Sequence, residues 1–327
     1  MSQSRVRLDP FVERFLEGLK AEGGPPLEEQ TPQEARAGDL AGQLAADVVM
    51  LPVDADERRL PVGPGGEVLV RIVRPRPSAG VLPAVMYFHG GGWVLGDRTT
   101  YDRATRDLAH ASGAAVVFVE YTRSPEARYP VAVEEAYAAT AWIAEHGADV
   151  GLDGTRLAVA GDSAGGNLAA VTALLAKRRG GPRLAHQVLL YPALDAGLDT
   201  PSYDEFAEGP FLTRSQMAWF WDHYAPDTGV RGDPTASPLR ASRDELAGLP
   251  PALVVTAEAD VLRDEGEAYA RSLLDAGVPA VAVRYLGAIH SFTAQNPLAA
   301  SPVTRAAYDQ VGRTLRQALD SGRPAPA

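Results

Sequence analysis

Short apolar runs alternate with longer helical stretches over most of this chain, and that alternation limits the folds it can adopt. The apolar runs have the length and composition of buried strands: Val68–Val73, Ala84–Phe88, Ala114–Val119, Arg156–Ala160, Gln187–Tyr191, Ala252–Ala257 and Ala280–Tyr285. Stretches that favour helix lie between most of them and after the last: Tyr101–Ala111, Val131–His146, Gly165–Arg178, Glu265–Ala276 and Val303–Leu319. This order predicts an α/β fold in which helices cover both faces of a mostly parallel sheet.

The alternation is absent from two regions. Residues 1–55 contain a helix pattern with the apolar stripe Phe11, Phe15, Leu16 and Leu19, and a weaker one at Asp39–Val49. Residues 198–244 contain no strand pattern but many large apolar side chains: Phe206, Phe211, Met217, Trp219, Phe220, Trp221 and Tyr224. These side chains indicate ordinary helix packing, an insertion that lines an apolar pocket, or both at once.

Composition excludes several classes of protein. The 327 residues carry a formal net charge of −11, which disfavours a nucleic-acid partner and an anionic membrane surface. Cysteine is absent, so disulfides, thiolate metal sites and a cysteine nucleophile are excluded. The chain has no apolar run long enough to span a membrane, and its start lacks the pattern of a signal peptide. We therefore expect a cytoplasmic protein.

The turn Gly161–Gly166 (GDSAGG) is the sharpest chemical signal. It follows the strand pattern Leu157–Ala160 directly and begins a helical run, which is the context that a G-x-S-x-G motif requires. Side chains at Gly161 and Gly165 would clash in so tight a turn. The turn lifts the Ser163 hydroxyl above the sheet, at a helix N-terminus whose dipole favours developing negative charge. Ser163 is therefore predicted to be a nucleophile.

A serine hydroxyl needs a base within hydrogen-bonding distance to act as a nucleophile near neutral pH. Chains with this motif place the nucleophile, the acid and the histidine in that order, so the base follows Ser163. Three histidines satisfy this order: His186, His223 and His290. His186 begins a strand and His223 lies in the aromatic insertion, whereas His290 lies in a loop after the last strand pattern. We predict His290 as the base.

The acid is expected in the turn after the preceding strand pattern, which reads Glu258-Ala259-Asp260-Val261-Leu262. We predict Asp260, with Glu258 as the alternative. Its role would be to hold the imidazole of His290 in the required tautomer and to stabilise the imidazolium.

A glycine-rich loop, His89-Gly90-Gly91-Gly92-Trp93, follows the strand that ends at Phe88. Such a loop supplies backbone N–H donors to an oxyanion, and the N–H of the residue after the nucleophile, Ala164, adds another. Because His89 precedes Ser163, chain order predicts that it braces this loop rather than acting as the base. No phosphate-binding loop or zinc motif is present, so we expect no cofactor and no metal.

Taken together, these residues resemble the hormone-sensitive-lipase-like family of α/β-hydrolases, the bacterial family IV esterases. The resemblance runs from roughly Leu82 to the C-terminus. It rests on HGGGW at 89–93, GDSAGGNLA at 161–169, DVLRDEGE at 260–267 and the loop of His290. The resemblance implies an α/β-hydrolase fold with an eight-stranded, mostly parallel sheet and a helical cap.

The resemblance also implies a division of the chain and a set of roles. The cap would comprise residues 1–55 and the insertion 198–244, and the catalytic core residues 56–197 and 245–327. The implied triad is Ser163, Asp260 and His290, and the implied oxyanion donors are the N–H groups of Gly91, Gly92 and Ala164. A homodimer through the last edge strand, near Ala280–Tyr285, is implied as well.

Three positions depart from the family pattern. Val261 stands where the family often has proline, and Ser291 stands where it often has glycine or alanine. Residues 121–126 read Tyr-Thr-Arg-Ser-Pro-Glu where the family commonly has Tyr-Arg-Leu-Ala-Pro-Glu. No catalytic group is lost, so these departures bear on substrate preference more than on activity.

The sequence thus predicts a serine carboxylesterase that hydrolyses small esters with short to medium acyl chains through an acyl-enzyme. We expect the substrate pocket to include Trp93, Phe206, Phe211 and Ile289. A lactone hydrolase with the same triad is the nearest alternative. An amidase or peptidase and a non-catalytic receptor with the same fold are the remaining ones.

Overall fold

Eight strands form one sheet in the computed structural model, which describes residues 6–320. The strands are β1 (Val53–Leu60), β2 (Val68–Pro75), β3 (Leu82–Phe88), β4 (Ala115–Glu120), β5 (Leu152–Asp162), β6 (Gln187–Leu190), β7 (Ala252–Ala259) and β8 (Ala280–Ile289). Their order in the sheet is β1-β2-β4-β3-β5-β6-β7-β8. The pairs β1–β2 and β2–β4 are antiparallel, and all other neighbours are parallel. The predicted α/β fold with a mostly parallel sheet is confirmed.

The helices are α1 (Pro10–Glu22), α2 (Pro32–Ala45), α3 (Asp102–Ser112), α4 (Val131–His146), α5 (Ala164–Arg178), α6 (Pro201–Glu205), α7 (Arg214–Tyr224), α8 (Arg243–Leu246), α9 (Arg263–Asp275) and α10 (Pro302–Asp320). The helices predicted between the strands lie within two residues of these bounds. Within residues 6–320, no helix is long and apolar enough to cross a membrane.

The second N-terminal helix differs from its prediction. It begins at Pro32, seven residues before the expected Asp39, and ends at Ala45. Thr31 caps it, because its hydroxyl accepts from the N–H of Glu34 while the Glu34 carboxylate accepts from the N–H of Thr31. This capping box and a proline in the first turn fix the start of α2 more firmly than the apolar pattern used for the prediction.

Strand β1 has no counterpart in the apolar pattern of the sequence. It pairs only with β2 at the edge of the sheet, and most of its side chains, in the sequence VDADERRL, are exposed. Because neither face of the strand is well buried, it lacks the alternation that identifies a strand. It begins at Val53, so it crosses the boundary predicted between residues 55 and 56.

The centre of the sheet is formed by β4, β3 and β5, which pair in parallel and are buried on both faces. Val85, Val116 and Ala158 sit in register across these strands, and none is exposed to solvent. Near-continuous apolar strands of this kind are typical of a sheet that helices cover on both sides. The loops after β3, β5 and β7 lie at the carboxyl ends of these strands. They carry the glycine-rich segment, Ser163 and Asp260.

The N-terminal segment, before β1, and the insertion 198–244 lie over the carboxyl ends of the strands and contact each other. The rings of Phe15 and Phe211 lie 5.6 Å apart, and the Ser215 hydroxyl donates to Glu28 at 2.6 Å. From α2, the Arg36 guanidinium donates to the carbonyl of Val94 and binds both carboxylate oxygens of Glu126. These contacts hold the helices of both segments against the loops that surround Ser163.

Candidate active site

Ser163 lies at the sharp turn between β5 and α5. Its backbone has φ 53° and ψ −120°, a conformation that L residues rarely adopt. A Cβ on Gly161 would lie 2.1 Å from the carbonyl oxygen of Gly165, and a Cβ on Gly165 would lie 1.9 Å from that of Phe88. Both glycines are therefore required by close backbone contacts, which hold the serine hydroxyl at the top of the sheet.

Ser163, His290 and Asp260 form one hydrogen-bonded series. The Nε2 atom of His290 lies 2.9 Å from the Ser163 hydroxyl oxygen, and Nδ1 lies 2.8 Å from a carboxylate oxygen of Asp260. The other Asp260 oxygen accepts from the N–H of Leu262 at 3.0 Å. All three side chains are at most 4% exposed. Tyr191 packs edge-on against the imidazole at 5.0 Å and restricts its rotation.

The other residues considered for these positions have different partners. Glu258 accepts a hydrogen bond from the N–H of Gly287 at 2.7 Å. His223 lies on α7, where its Nδ1 contacts the carbonyl of Trp219. His186 immediately precedes β6, and burial lowers its pKa to about 4. Among the described residues, none of these three side chains has a hydrogen bond to Ser163 or to His290.

The predicted oxyanion donors, the N–H groups of Gly91, Gly92 and Ala164, have no hydrogen-bond acceptor in the part of the chain that the structure describes. Gly91 and Gly92 adopt φ of 86° and 59°, and a Cβ on Gly92 would lie 2.0 Å from the ring of Phe220. Only glycine fits this loop, whose free N–H groups lie in the wall of the cavity that also contains Ser163.

A buried carboxylate, Asp162, supports the glycine-rich loop from below. It accepts hydrogen bonds from the hydroxyls of Tyr87 and Tyr101 and from the N–H of Gly90, at 2.8 to 3.0 Å. Complete burial raises the pKa of Asp162 to about 6. The sequence pattern gives no role for Asp162, because its partners are brought to it by β3, by the loop after β3 and by the residue that precedes α3.

His89 is a part of the loop and not of the hydrogen-bonded series. Its ring stacks on Tyr121 at 4.1 Å and on Phe118 at 5.3 Å, and its Nδ1 lies 2.8 Å from the carbonyl oxygen of Gly90. Burial lowers the pKa of His89 to about 3, so the imidazole is neutral near physiological pH. This packing is what the predicted bracing role requires.

A cavity of about 1230 Å³ opens above Ser163 and His290. Its wall includes apolar side chains from both the N-terminal segment and the insertion: Phe15, Leu19, Leu27, Phe211, Leu212 and Phe220. Gly38 and Gly42 on α2 also line it, and a Cβ at either position would meet no atom within 4 Å. Ionisable side chains of α3 and α10 also belong to the lining, among them Asp107, His110, Arg305 and Asp309.

Of the four predicted pocket residues, only Phe211 lines this cavity. Trp93 is fully buried between Trp221 and Tyr224, and Phe206 packs under the Arg263 guanidinium. Ile289 ends β8 and is fully buried in the core. The prediction of Trp93, Phe206 and Ile289 as pocket residues is therefore wrong. Trp93 and Ile289 lie beside motif residues and Phe206 lies in the insertion, but none of the three side chains belongs to the cavity lining.

The residues that the prediction missed come mostly from α1 and α2. Phe15 and Leu19 belong to the apolar stripe of α1, which was an available signal because it had no assigned partner. Gly38 and Gly42 carry no such signal, since a glycine in a helix does not reveal what it faces.

The arrangement has the groups that acyl transfer needs. A hydroxyl, a base that is oriented by a carboxylate, and unpaired N–H donors converge on one cavity. Because these groups are buried, their electrostatic interactions are screened less than they would be in water.

Residues 85–294 match the family described as alpha/beta hydrolase fold. The carboxylesterase NlhH of Mycobacterium tuberculosis is 43% identical over 240 residues, which cover 72% of this chain and 75% of NlhH. The crystal structure of a thermostable esterase from Pseudomonas putida ECU1011 has a TM-score of 0.94 at 51% identity and covers 97% of this chain and 99% of its own. A hyperthermophilic esterase from the archaeon Pyrobaculum calidifontis has a TM-score of 0.87 at 40% identity, covering 97% and 100%.

Proposed function

As a member of the hormone-sensitive-lipase-like family of α/β-hydrolases, this chain is a carboxylic ester hydrolase, and we propose that Ser163, His290 and Asp260 carry its chemistry. One observation supports the proposal above others. The hydrogen bonds of 2.8 and 2.9 Å join the carboxylate, the imidazole and the hydroxyl in series, beside N–H groups that have no acceptor within residues 6–320.

The proposed reaction has two stages. In the first, Ser163 Oγ attacks the ester carbonyl while His290 Nε2 takes the hydroxyl proton. The oxyanion is stabilised by the N–H groups of Gly91, Gly92 and Ala164. His290 then gives its proton to the departing alcohol oxygen, which leaves Ser163 acylated.

In the second stage, water attacks the acyl-enzyme. His290 takes a proton from the water, the carbonyl again becomes an oxyanion, and its collapse breaks the bond to Ser163 Oγ. The proton returns from His290 to Oγ, and the carboxylic acid is released. Asp260 holds the imidazole and stabilises its positive charge in both stages.

The experiment for these roles compares Ser163→Ala with Ser272→Ala on a short-chain nitrophenyl ester. Ser272 is a matched control because it is a half-buried serine on α9, outside the cavity wall. We expect Ser163→Ala to lose roughly 10⁴-fold or more of kcat, and Ser272→Ala to keep the wild-type value. Full turnover by Ser163→Ala would overturn the proposal.

We further propose esters with short to medium acyl chains as substrates. The aromatic wall formed by Phe15, Phe211 and Phe220 suits an apolar group in a bounded cavity. A lactone hydrolase would use the same groups on a cyclic ester. An acyl-length series of linear esters, measured beside lactones of matched size, distinguishes the two. Preference for the lactones at every length would favour the alternative.

We also propose a homodimer through the edge strand β8. Val281 and Leu286 on this strand are 56% and 67% exposed, and an apolar edge strand is a surface that another chain can cover. Sedimentation velocity tests this proposal. The wild type should sediment as a dimer and Val281→Lys as a monomer, and a monomeric wild type at assay concentration would contradict it.

A further inference from the structure

We propose that Arg103, on α3, is a positioning residue for His290 and that it couples the histidine loop to helix α2 through Asn296. The inference rests on the proposed role of His290 as the base. It concerns a residue that lines the same cavity but, among the contacts of residues 6–320, has no hydrogen bond to Ser163, and that none of the motifs above includes.

The Arg103 guanidinium binds the segment that follows His290. One Nη atom donates to the carbonyls of Thr293 and Ala294, both at 2.8 Å, and Nε donates to the side-chain oxygen of Asn296 at 3.0 Å. These acceptors lie three, four and six residues after His290. Arg103 therefore fixes the backbone on the C-terminal side of the imidazole.

Burial makes these bonds costly to lose. Arg103 is only 1% exposed, and its single ion pair, among the described residues, is with Asp107 at 3.0 Å, one turn along the same helix. Removing the guanidinium would leave two main-chain carbonyls with fewer donors in a buried place, and a small displacement of the segment would relieve this. An arginine at the surface could form the same ion pair with Asp107. The burial of Arg103 is therefore explained by its bonds to the histidine loop and not by the ion pair.

Other contacts to the segment come from different directions. The Thr304 hydroxyl donates to the carbonyl of Phe292, and the Tyr308 hydroxyl donates to that of Thr293, both from α10. The Tyr191 hydroxyl lies 2.5 Å from the Thr293 hydroxyl. Arg103 differs from these residues because its guanidinium also binds Asn296. Within residues 6–320, no side chain of α10 forms a hydrogen bond with Asn296.

Asn296 carries the connection to α2. Its N–H donates to the Gln43 side-chain oxygen at 2.8 Å, and its side-chain nitrogen donates to the Gln43 main-chain carbonyl at 2.9 Å. Gln43 is 4% exposed although most of α2 faces solvent. The helix that lines the substrate cavity is thereby hydrogen-bonded to the loop of the catalytic base. Movement of one is expected to displace the other.

The test compares Arg103→Lys with Arg106→Lys. Arg106 lies one turn along α3 and also binds a carboxylate and a carbonyl, those of Asp102 and Leu51, but it does not touch the histidine loop. Active sites are counted by titration with a serine-directed phosphonate, so that kcat refers to folded, competent enzyme only. We expect Arg103→Lys to lower kcat per titrated site about tenfold or more with KM changed less than about threefold, because a base displaced by a fraction of an ångström loses rate rather than binding. Arg106→Lys should keep the wild-type kcat.

Two further measurements separate positioning from a purely structural role. The low-field proton resonance of the His290–Asp260 hydrogen bond should shift or broaden in Arg103→Lys and remain in place in Arg106→Lys. Gln43→Met, which removes the acceptor for the Asn296 N–H, should lower kcat by about threefold, and its effect should not add fully to that of Arg103→Lys. Gln43→Met carries the test alone if Arg103→Lys does not fold.

The inference would be overturned if Arg103→Lys and Gln43→Met both kept a kcat per titrated site within twofold of the wild type and the proton resonance did not change. That result is distinct from failure of the proposed function, in which the phosphonate would not label Ser163 in the wild type at all.

Discussion

The imidazole Nε2 of His290 lies 2.9 Å from the hydroxyl oxygen of Ser163, although 127 positions separate the two residues in the chain. The parallel sheet causes this proximity, because β5 and β8 present their carboxyl ends at the same edge. The arrangement allows several outcomes to be predicted.

Asp260→Asn should lower kcat by roughly 10³- to 10⁴-fold. An amide in place of the carboxylate would favour the wrong imidazole tautomer and would no longer stabilise the imidazolium. The matched control is Glu258→Gln, which changes the rival carboxylate two residues away, whose partner is the N–H of Gly287. Steady-state kinetics on a nitrophenyl ester measures both variants. Equal losses in the two would contradict the assignment of the acid.

Gly92→Ala should lower kcat by roughly 10²-fold, because the new methyl would strike the Phe220 ring and displace an oxyanion donor. Gly113→Ala is the control. It has a similar φ of 67°, but its Cβ would meet no atom within 4 Å. We expect the control to lose about 1 kcal/mol of unfolding free energy and no activity. Unchanged kcat in Gly92→Ala would contradict the proposed oxyanion hole.

Gly42→Leu should shift the acyl-chain preference toward shorter esters. The side chain would project into the cavity, where nothing now lies within 4 Å of the Cβ position. Activity on the longest accepted ester should fall about tenfold relative to activity on the acetate ester. Stability should rise by up to about 1 kcal/mol, since glycine is a poor helix former. Gly65→Leu, outside the cavity, should leave the acyl-length profile as it is, and a parallel shift in both variants would argue against this role of α2.

His186→Gln should make the free energy of unfolding less sensitive to acid. Burial lowers the pKa of His186 to about 4 from its ordinary value of 6.5, so the unfolded chain binds the proton more readily. The stability that this neutral histidine contributes is present above pH 6.5 and is lost as the pH falls toward 4. Between pH 7 and pH 5 the wild type should lose about 2 kcal/mol more than the variant.

Urea denaturation at the two pH values measures this difference. His146→Gln is the control, because His146 lies at the end of α4 with 42% of its side chain exposed. Asp162 has the opposite effect on the free energy of unfolding. Because burial raises its pKa to about 6, its contribution to stability increases as the pH falls. Comparing each variant with the wild type removes this shared contribution. An identical pH dependence in wild type and His186→Gln would contradict the prediction.

The sequence was sufficient for the features that depend on local pattern. The parallel sheet followed from apolar runs, and the turn at Ser163 followed from two glycines whose substitution by any larger residue would clash with main-chain oxygens. The proposed roles of His290 and Asp260 came from their positions after strand patterns, and the structure places both side chains in one hydrogen-bonded series with Ser163.

Features that depend on direction or on distant partners were not predictable. Trp93 has the right residue type beside the right motif, yet its ring packs against Tyr224 and not toward the cavity. Strand β1 is charged and exposed, so it has no apolar pattern to read. The contacts of Arg103 with the histidine loop lie 190 or more positions away in the chain, and nothing near Arg103 in the sequence indicates them.

Covalent trapping of the acyl-enzyme analogue tests the central claim most directly. The wild type would be incubated with a serine-directed phosphonate, and the mass of the intact chain and of its peptides would be measured. We predict one adduct per chain, located on Ser163, with loss of esterase activity in proportion to labelling. Full esterase activity in a chain that carries no adduct, or activity lost through an adduct on another residue, would contradict the assignment of Ser163 as the nucleophile.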